Sequence, residues 1–363
     1  MASTTHVSAT LRTQTIDSSR PLRDGLVALG GLGLIGGLYL DGWAHVHVPT
    51  LESFFTPWHV VLYSGFLLLA ASLVAPVLRG RLRGVAWRDA IPAGYSLGLL
   101  GIALFALGGL LDLGWHTLFG IEADAEALLS PPHLLLATGA GLMLSTPIRA
   151  AWARDDAPQG WRTWLPPLLS LALVLALLAF FTSYTHPFSR AAAAAGERPV
   201  THNETHGSVD LAMSAILLQT GVLSGGLLLF VRRWGWQWPL GSLTLLFALT
   251  LSPLTVMFDR FLGVPSLPMI VVALLAGVAA DALLRLLRPS AVRLWAVRSF
   301  AALAPATLYA FYLAAIAVSG GVWWTPHLIF GAVVLAAITG WLVSYLVFAP
   351  ASRLEPAWER KPQ

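Results

Sequence analysis

The chain has 363 residues, of which 56% are hydrophobic and only 11% are charged, whereas a soluble domain carries roughly 25% charged residues. So few charges exclude an ordinary soluble fold and predict an all-α integral membrane protein whose main partner is the lipid bilayer. The 22 basic and 18 acidic residues give a formal net charge of +4, but no basic helix or aromatic–basic stripe indicates a nucleic-acid partner. The chain has no cysteine, which excludes disulfides, iron–sulfur clusters and thiolate zinc sites.

A polar segment at residues 1–24 is followed by apolar runs of the length that a bilayer-spanning helix requires, about 20 residues. The segment lacks the short apolar run and cleavage site of a signal peptide, so we expect the first span to be retained. We predict ten spans, arranged as repeated helical hairpins: 25–44, 58–78, 92–115, 132–150, 164–185, 208–231, 239–258, 264–286, 296–319 and 327–348. They divide the chain into a four-helix unit at 25–150, six further helices at 151–349 and a tail at 350–363.

Basic residues collect on one side of these spans. An even number of spans places both termini on the same side of the membrane. On that side lie 19 of the 22 basic residues, and only Arg190, Arg198 and Arg260 lie on the other side. Short cytoplasmic connections carry an excess of Lys and Arg. We therefore expect both termini in the cytoplasm and the protein in the inner (plasma) membrane.

Histidines lie on the opposite side. Nine of the ten fall at the expected outer interface, with only His6 elsewhere, and two of them are placed in the first outer connection, His45 and His47. The remaining outer histidines are His59, His116, His133, His186, His202, His206 and His327. Histidine tolerates interfaces in general, but that tolerance would scatter the residues over both faces. The one-sided distribution favours a shared site at the periplasmic or extracellular face.

A repeated pattern provides two candidate metal sites. Aspartate and histidine stand four residues apart at the end of one span, and a second histidine follows a proline at the start of the next span. The first set is Asp41, His45 and His59, and the second set is Asp112, His116 and His133. Residues i and i+4 share one helical face, so the aspartate can bind the same ion as the histidine or orient its ring. One carboxylate and two imidazoles suit copper, iron or zinc, although a hydrogen-bonded Asp–His pair at a helix end is the alternative.

Other histidines are further candidate ligands. The spacing His202-x3-His206 could chelate a metal if this stretch is helical, and a loop is the alternative. His327 follows Thr325-Pro326 and so echoes the Thr56-Pro57-x-His59 pattern, while His186 flanks the third outer connection. The sequence indicates no catalytic residue.

The first set resembles a stretch in the C subunit of the copper membrane monooxygenases, the particulate methane and ammonia monooxygenases. Asp41-x3-His45, a loop, and Phe55-Thr56-Pro57-x-His59 followed by an apolar helix are similar to motifs of that subunit. The second set is similar to a later element, in which the family has Asn at the position of Asp112. The resemblance covers about residues 34–145 and implies that both sets bind copper. It also implies oxidative chemistry on a small apolar substrate and partner subunits.

We therefore expect a membrane metalloprotein that binds copper at its outer face, monooxygenase-like by resemblance. Storage, delivery or transport of copper or another metal is an alternative, in which a metal donor or acceptor protein is the partner. A haem-binding electron carrier is a further alternative, because several histidines begin spans on one side. The residues leave open the substrate, the electron donor and a homo- or hetero-oligomeric state.

Overall fold

The computed structural model describes residues 20–48, 56–120 and 124–349. Residues 1–19 of the polar start and the predicted tail at 350–363 lie outside this part of the chain, as does Phe55 of the first motif. The described residues form α-helices, short 3₁₀ turns and connections, with two isolated β-bridges and no strand. The prediction of an all-α protein is confirmed.

Thirteen helices occur in the described ranges. In chain order they are α1 Arg20–His47, α2 Pro57–Leu82, α3 Trp87–Ala90, α4 Ser96–Phe119, α5 Asp124–Leu129, α6 Pro131–Leu144, α7 Thr146–Trp152, α8 Gly160–Phe181, α9 His202–Trp234, α10 Ser242–Met257, α11 Ser266–Leu287, α12 Leu294–Ser319 and α13 Pro326–Val347. Two 3₁₀ turns, Ser183–Thr185 and Ala195–Glu197, lie in the connection between α8 and α9. This segment is called the 182–201 connection below.

Nine of the described helices are long and apolar enough to cross a membrane, with α6 and α7 counted as one span at Pro131–Trp152. The chain therefore has the helices of a multi-pass membrane protein. The predicted span at 239–258 contains only the 16-residue helix α10, which is about 24 Å long and shorter than the roughly 30 Å hydrocarbon layer. This helix is packed among other helices, with Leu243, Leu246 and Phe247 fully buried. Its length therefore need not match the thickness of the hydrocarbon layer.

Two helices that carry histidines differ from their predicted bounds. Helix α1 continues through His47, so His45 and His47 lie in its last turns and not in the following connection. Helix α9 begins at His202, six residues before the predicted start, because Thr201 and Glu204 form a capping box there. The residues of the His202-x3-His206 pattern are therefore helical.

Successive long helices pack against each other: α1 along α2, α4 along α6, α10 along α11, and α12 along α13. Helix α1 also contacts α8 and α10, which joins the first four spans to the rest of the protein. The core lies around α8, α10, α11 and α12. Helices α2 and α4 instead expose leucines along much of their length, including Leu67, Leu68, Leu107 and Leu110.

The two ends of the bundle differ in composition. One end, called the histidine end, is formed by the last turns of α1 and α4, the first turns of α2, α6, α9 and α13, and the 182–201 connection. Backbone hydrogen bonds from Ala191 N to Leu262 O and from Trp323 N to Ala193 O tie the connections of this end together. At the opposite end, buried Asp24 accepts a 2.8 Å hydrogen bond from the Tyr95 hydroxyl and pairs with Arg154.

Candidate metal centre

The first set comes together where α1 ends and α2 begins. His45 Nε2 lies 3.7 Å from Asp41 Oδ2, and His59 Nε2 lies 3.6 Å from Asp41 Oδ1. The Thr56 hydroxyl accepts a hydrogen bond from His59 N and caps α2, which fixes the position of His59 in its first turn. The structure therefore places both predicted imidazoles beside one half-buried carboxylate.

The second set is more tightly arranged. His116 Nε2 and His133 Nε2 lie 3.5 Å and 3.2 Å from the same atom, Asp112 Oδ1. Among the described residues, this is the only group in which three ligand atoms lie within 4.8 Å of one another. Asp112 is only 3% exposed. Its carboxylate is therefore buried between two half-buried imidazoles.

Hydrogen bonds at the Nδ1 atoms of the two histidines determine which atoms of the second set are left to bind a cation. His116 Nδ1 lies 3.0 Å from the Gly120 carbonyl oxygen; a carbonyl only accepts, so Nδ1 carries the proton and the Nε2 of a neutral ring is an acceptor. His133 Nδ1 lies 2.9 Å from the Ser130 hydroxyl. Asp112 Oδ1 is buried and makes no hydrogen bond in the described part of the chain. An acceptor nitrogen and a carboxylate oxygen thus face each other, an arrangement that a cation between them would stabilise.

The two sets are neighbours. Asp41 interacts electrostatically with Asp112 and His133 as well as with the histidines of its own set. Tyr63 of α2 lies between the sets: its ring centroid is 6.1 Å from that of His59, and a Cβ atom on Gly109 of α4 would be 3.3 Å from its hydroxyl oxygen. One charged, histidine-rich region therefore extends across α1, α2, α4 and α6.

Close helix contacts hold both sets in the same way. A Cβ atom on Gly37 would lie 2.5 Å from Leu62 Cα, and one on Gly108 would lie 2.9 Å from Leu136 Cγ. In both pairs the glycine precedes the aspartate of its set by four residues, and the leucine follows the second histidine by three. A further glycine lies six residues after the second histidine in each pair, Gly65 and Gly139. These glycines thus determine how closely the two helices of each metal set approach each other.

His47 has a partner that sequence analysis did not predict. Its Nε2 lies 2.6 Å from Asp259 Oδ1, in the segment after α10, although 212 residues separate the two. Its Nδ1 donates to the Trp43 carbonyl at 2.8 Å, and its ring stacks on Trp43 with centroids 4.4 Å apart. The sequence separation is too large for any local spacing to have revealed this contact.

The four further candidate histidines lie apart from the two sets. His202 and His206 are exposed, and their Nε2 atoms are 3.1 Å apart on the first turns of α9. His327 is exposed in the first turn of α13, whereas His186 is buried in the 182–201 connection. None of the four belongs to a three-ligand group within the ranges that the structure describes.

The sequence matches no protein-family model, no curated protein and no solved structure. The functional interpretation of the two sets therefore depends on their geometry and donor chemistry. The likeness of residues 34–145 to the copper monooxygenase subunit stays a prediction.

Proposed function

We propose that the protein is a membrane metalloprotein that binds copper through the second set, with the first set as a neighbouring copper site. One observation carries the proposal: the buried, non-hydrogen-bonded Asp112 Oδ1 lies between His116 Nε2 and His133 Nε2. A buried carboxylate oxygen without a hydrogen bond is costly, and a metal ion held by all three side chains removes that cost.

The donor set favours a transition metal. Two imidazoles and one carboxylate suit copper, iron or zinc, whereas calcium and magnesium prefer oxygen ligands alone. Copper is the metal that nitrogen and oxygen donors bind most strongly among the divalent first-row ions, and it is the metal that the resemblance implies. Because both imidazoles of the second set approach the same carboxylate oxygen, the arrangement suits a single ion better than haem, whose axial ligands lie on opposite faces of a wide ring.

The two helix pairs are copies of one unit. The matching positions of the close glycines, aspartates and histidines in α1–α2 and in α4–α6 support this interpretation. Each unit then supplies one three-ligand set at the same end of the bundle. We place that end at the periplasmic or extracellular face of the inner membrane, because the arginines of the sequence collect at the other end.

The activity we propose is oxidative chemistry on a small apolar substrate. Bound copper would supply the redox chemistry, as the resemblance implies. The protein's own part is to hold the ligands: Gly120 and Ser130 fix the rings of His116 and His133, and the close helix pair fixes the carboxylate. The lipid-facing leucines of α4 offer an apolar substrate a route to the second set through the bilayer.

Metal delivery or storage is the second candidate function. The exposed pair of His202 and His206 favours it, because two adjacent imidazoles at the histidine end could receive a metal ion from outside the bundle. If the protein releases copper to a chelator and His202→Ala slows that release, the result would favour delivery over oxidative chemistry. Oxygen consumption that requires both copper and an apolar substrate, and that His133→Ala abolishes, would select the oxidoreductase.

Copper stoichiometry tests the proposal. Purified protein loaded with Cu(II) should hold two ions per chain by elemental analysis, with nitrogen hyperfine structure in its electron paramagnetic resonance spectrum. His133→Ala and His59→Ala should each remove one ion, and the double variant should retain none. His327→Ala is the matched control, because that exposed histidine belongs to neither set. Two ions bound by the double variant would overturn the assignment.

A further inference from the structure

A large cavity lies at the histidine end, apart from both metal sets. It has a volume of about 530 Å³, is open on one side, and is lined by the 182–201 connection, the first turns of α9, and residues of α12 and the segment before α13. This volume is within the range of about 300–1,000 Å³ that small-molecule sites occupy. None of the six metal-set residues lines it, so its occupant need not be the metal.

Part of the exposed lining of the cavity is apolar. Three of its lining residues, Tyr184, Val200 and Leu211, are exposed large hydrophobic side chains. They lie where α8 ends and α9 begins, at the end of two spans that are long and apolar enough to cross a membrane. These side chains give the apolar part of a lipid-soluble molecule a surface to contact, beside the exposed Arg190, Arg198 and Glu204.

The charged residues of the cavity balance one another. Two arginines and two glutamates line it, Arg190, Arg198, Glu197 and Glu204. Arg190 Nε donates to Glu197 Oε2 at 2.6 Å, and Glu204 Oε2 accepts from Thr201 N in the capping box of α9. With two charges of each sign, the four side chains contribute no net formal charge to the lining.

Two buried residues of the cavity lining carry an N–H group that has no acceptor among the described residues. Trp324 is 4% exposed, and its Nε1 is buried without a hydrogen bond. His186 is 3% exposed and accepts a 3.1 Å hydrogen bond from Phe188 N at Nδ1, so the proton of the neutral ring is on Nε2. No acceptor for Nε2 occurs among the described residues, although His186 also lines a second cavity of about 20 Å³, with room for about one water.

His186 is uncharged in this position. Burial lowers the pKa of its imidazole to about 3, so the ring is neutral at physiological pH. Tyr312, another aromatic residue of the cavity lining, already donates its hydroxyl to the Pro187 carbonyl at 3.0 Å. Two neutral N–H donors thus belong to residues of the cavity wall, which also carries aromatic rings, and neither donor has an acceptor among the described residues.

We propose that this cavity binds an uncharged, lipid-soluble molecule with a carbonyl oxygen at one end, and that His186 Nε2 and Trp324 Nε1 donate hydrogen bonds to it. The carbonyl accepts from the two donors and needs no counter-charge, while the apolar body contacts Val200 and Leu211. Two sources share this chemistry, a quinone ring and a lipid ester.

Binding to the metal-free protein tests this proposal independently of the copper sites. The protein is placed in phosphatidylcholine nanodiscs and titrated by calorimetry with decylubiquinone, with dioctanoylglycerol and with decanoate. Saturable binding of the first probe identifies a quinone, and saturable binding of the second identifies a lipid ester. Failure of both neutral probes, or tighter binding of the decanoate anion, would overturn the proposal.

Conservative variants test the two donors. Trp324→Phe keeps an aromatic ring and removes the N–H; His186→Asn keeps an acceptor for Phe188 N and removes the Nε2 donor. Each should weaken binding about three- to tenfold, the effect of one neutral hydrogen bond. Trp164→Phe is the matched control, because the Trp164 Nε1 is also buried without a hydrogen bond but that residue lines neither cavity. Wild-type affinity in both donor variants, with unfolding temperatures unchanged, would overturn the proposal.

Discussion

Gly37 and Leu62 are in backbone contact: a Cβ atom on Gly37 would lie 2.5 Å from the Leu62 Cα and 2.7 Å from its N atom. This contact lies one helical turn before Asp41 on α1 and one turn after His59 on α2. The distance between the two ligand-bearing helices at the first set is therefore determined by a residue without a side chain.

Gly37→Ala should push α1 and α2 apart. The added methyl group meets backbone atoms that cannot move independently, and such overpacking costs about 1–3 kcal/mol. We expect a lower unfolding temperature and loss of one of two bound copper ions, while the second set keeps its ion. Gly36→Ala is the control, since a Cβ atom there meets nothing within 4 Å. Equal copper binding in both variants would contradict this role of Gly37.

Contacts between residues that are near in the chain can be predicted from the sequence. Asp112 and His116 are one turn apart, and helical periodicity alone places them on one face. The second histidine of each set was predicted from the hairpin geometry, and the structure brings His59 and His133 to their aspartates. These contacts follow from local geometry and short connections.

Contacts between distant segments could not be predicted in this way. The pairing of His47 with Asp259 and the hydrogen bond from Trp323 N to Ala193 O join segments more than a hundred residues apart. The large cavity depends on such contacts between distant segments, so nothing in the local sequence indicated it. The short length of α10 was also not predicted, because apolar composition does not distinguish a buried helix from a membrane-facing one.

Ser130→Ala should weaken copper binding at the second set. The Ser130 hydroxyl lies 2.9 Å from His133 Nδ1, and loss of a group that orients a ligand ring costs about 10- to 100-fold in metal affinity. Competition with a chelator of known affinity measures the change, with two ions still bound at saturation. The control is Ser64→Ala, because Ser64 is an exposed serine of α2 whose hydroxyl donates to the Val60 carbonyl. If Ser130→Ala and Ser64→Ala bound copper equally, the hydroxyl would have no orienting function.

The 182–201 connection should lose stability in acid. Burial lowers the pKa of His186 to about 3, below the value of about 6.5 for an unfolded chain. Between these values the unfolded form binds the extra proton, so stability is fully present above pH ~6.5 and falls as the pH falls toward 3. At about 1.4 kcal/mol per pH unit, the loss at pH 5 is roughly 2 kcal/mol.

Hydrogen exchange of the connection at pH 7.5 and pH 5, corrected for intrinsic rates, measures this loss. His186→Asn should remove the difference between the two pH values, because its side chain does not titrate. His327→Asn should retain it, since that histidine is exposed on α13. Equal protection of the wild-type connection at both pH values would show that His186 is not buried as a neutral ring.

The histidine end should face outward across the membrane. The chain has no cysteine, so a single introduced thiol reports one position without background. Asn203→Cys lies at the exposed start of α9, and Asp156→Cys lies in the exposed segment between α7 and α8 at the opposite end. In intact cells a membrane-impermeant maleimide should label the first and reach the second only after permeabilisation. The reverse pattern would place both metal sets on the cytoplasmic side. It would contradict the orientation that the arginine distribution predicts.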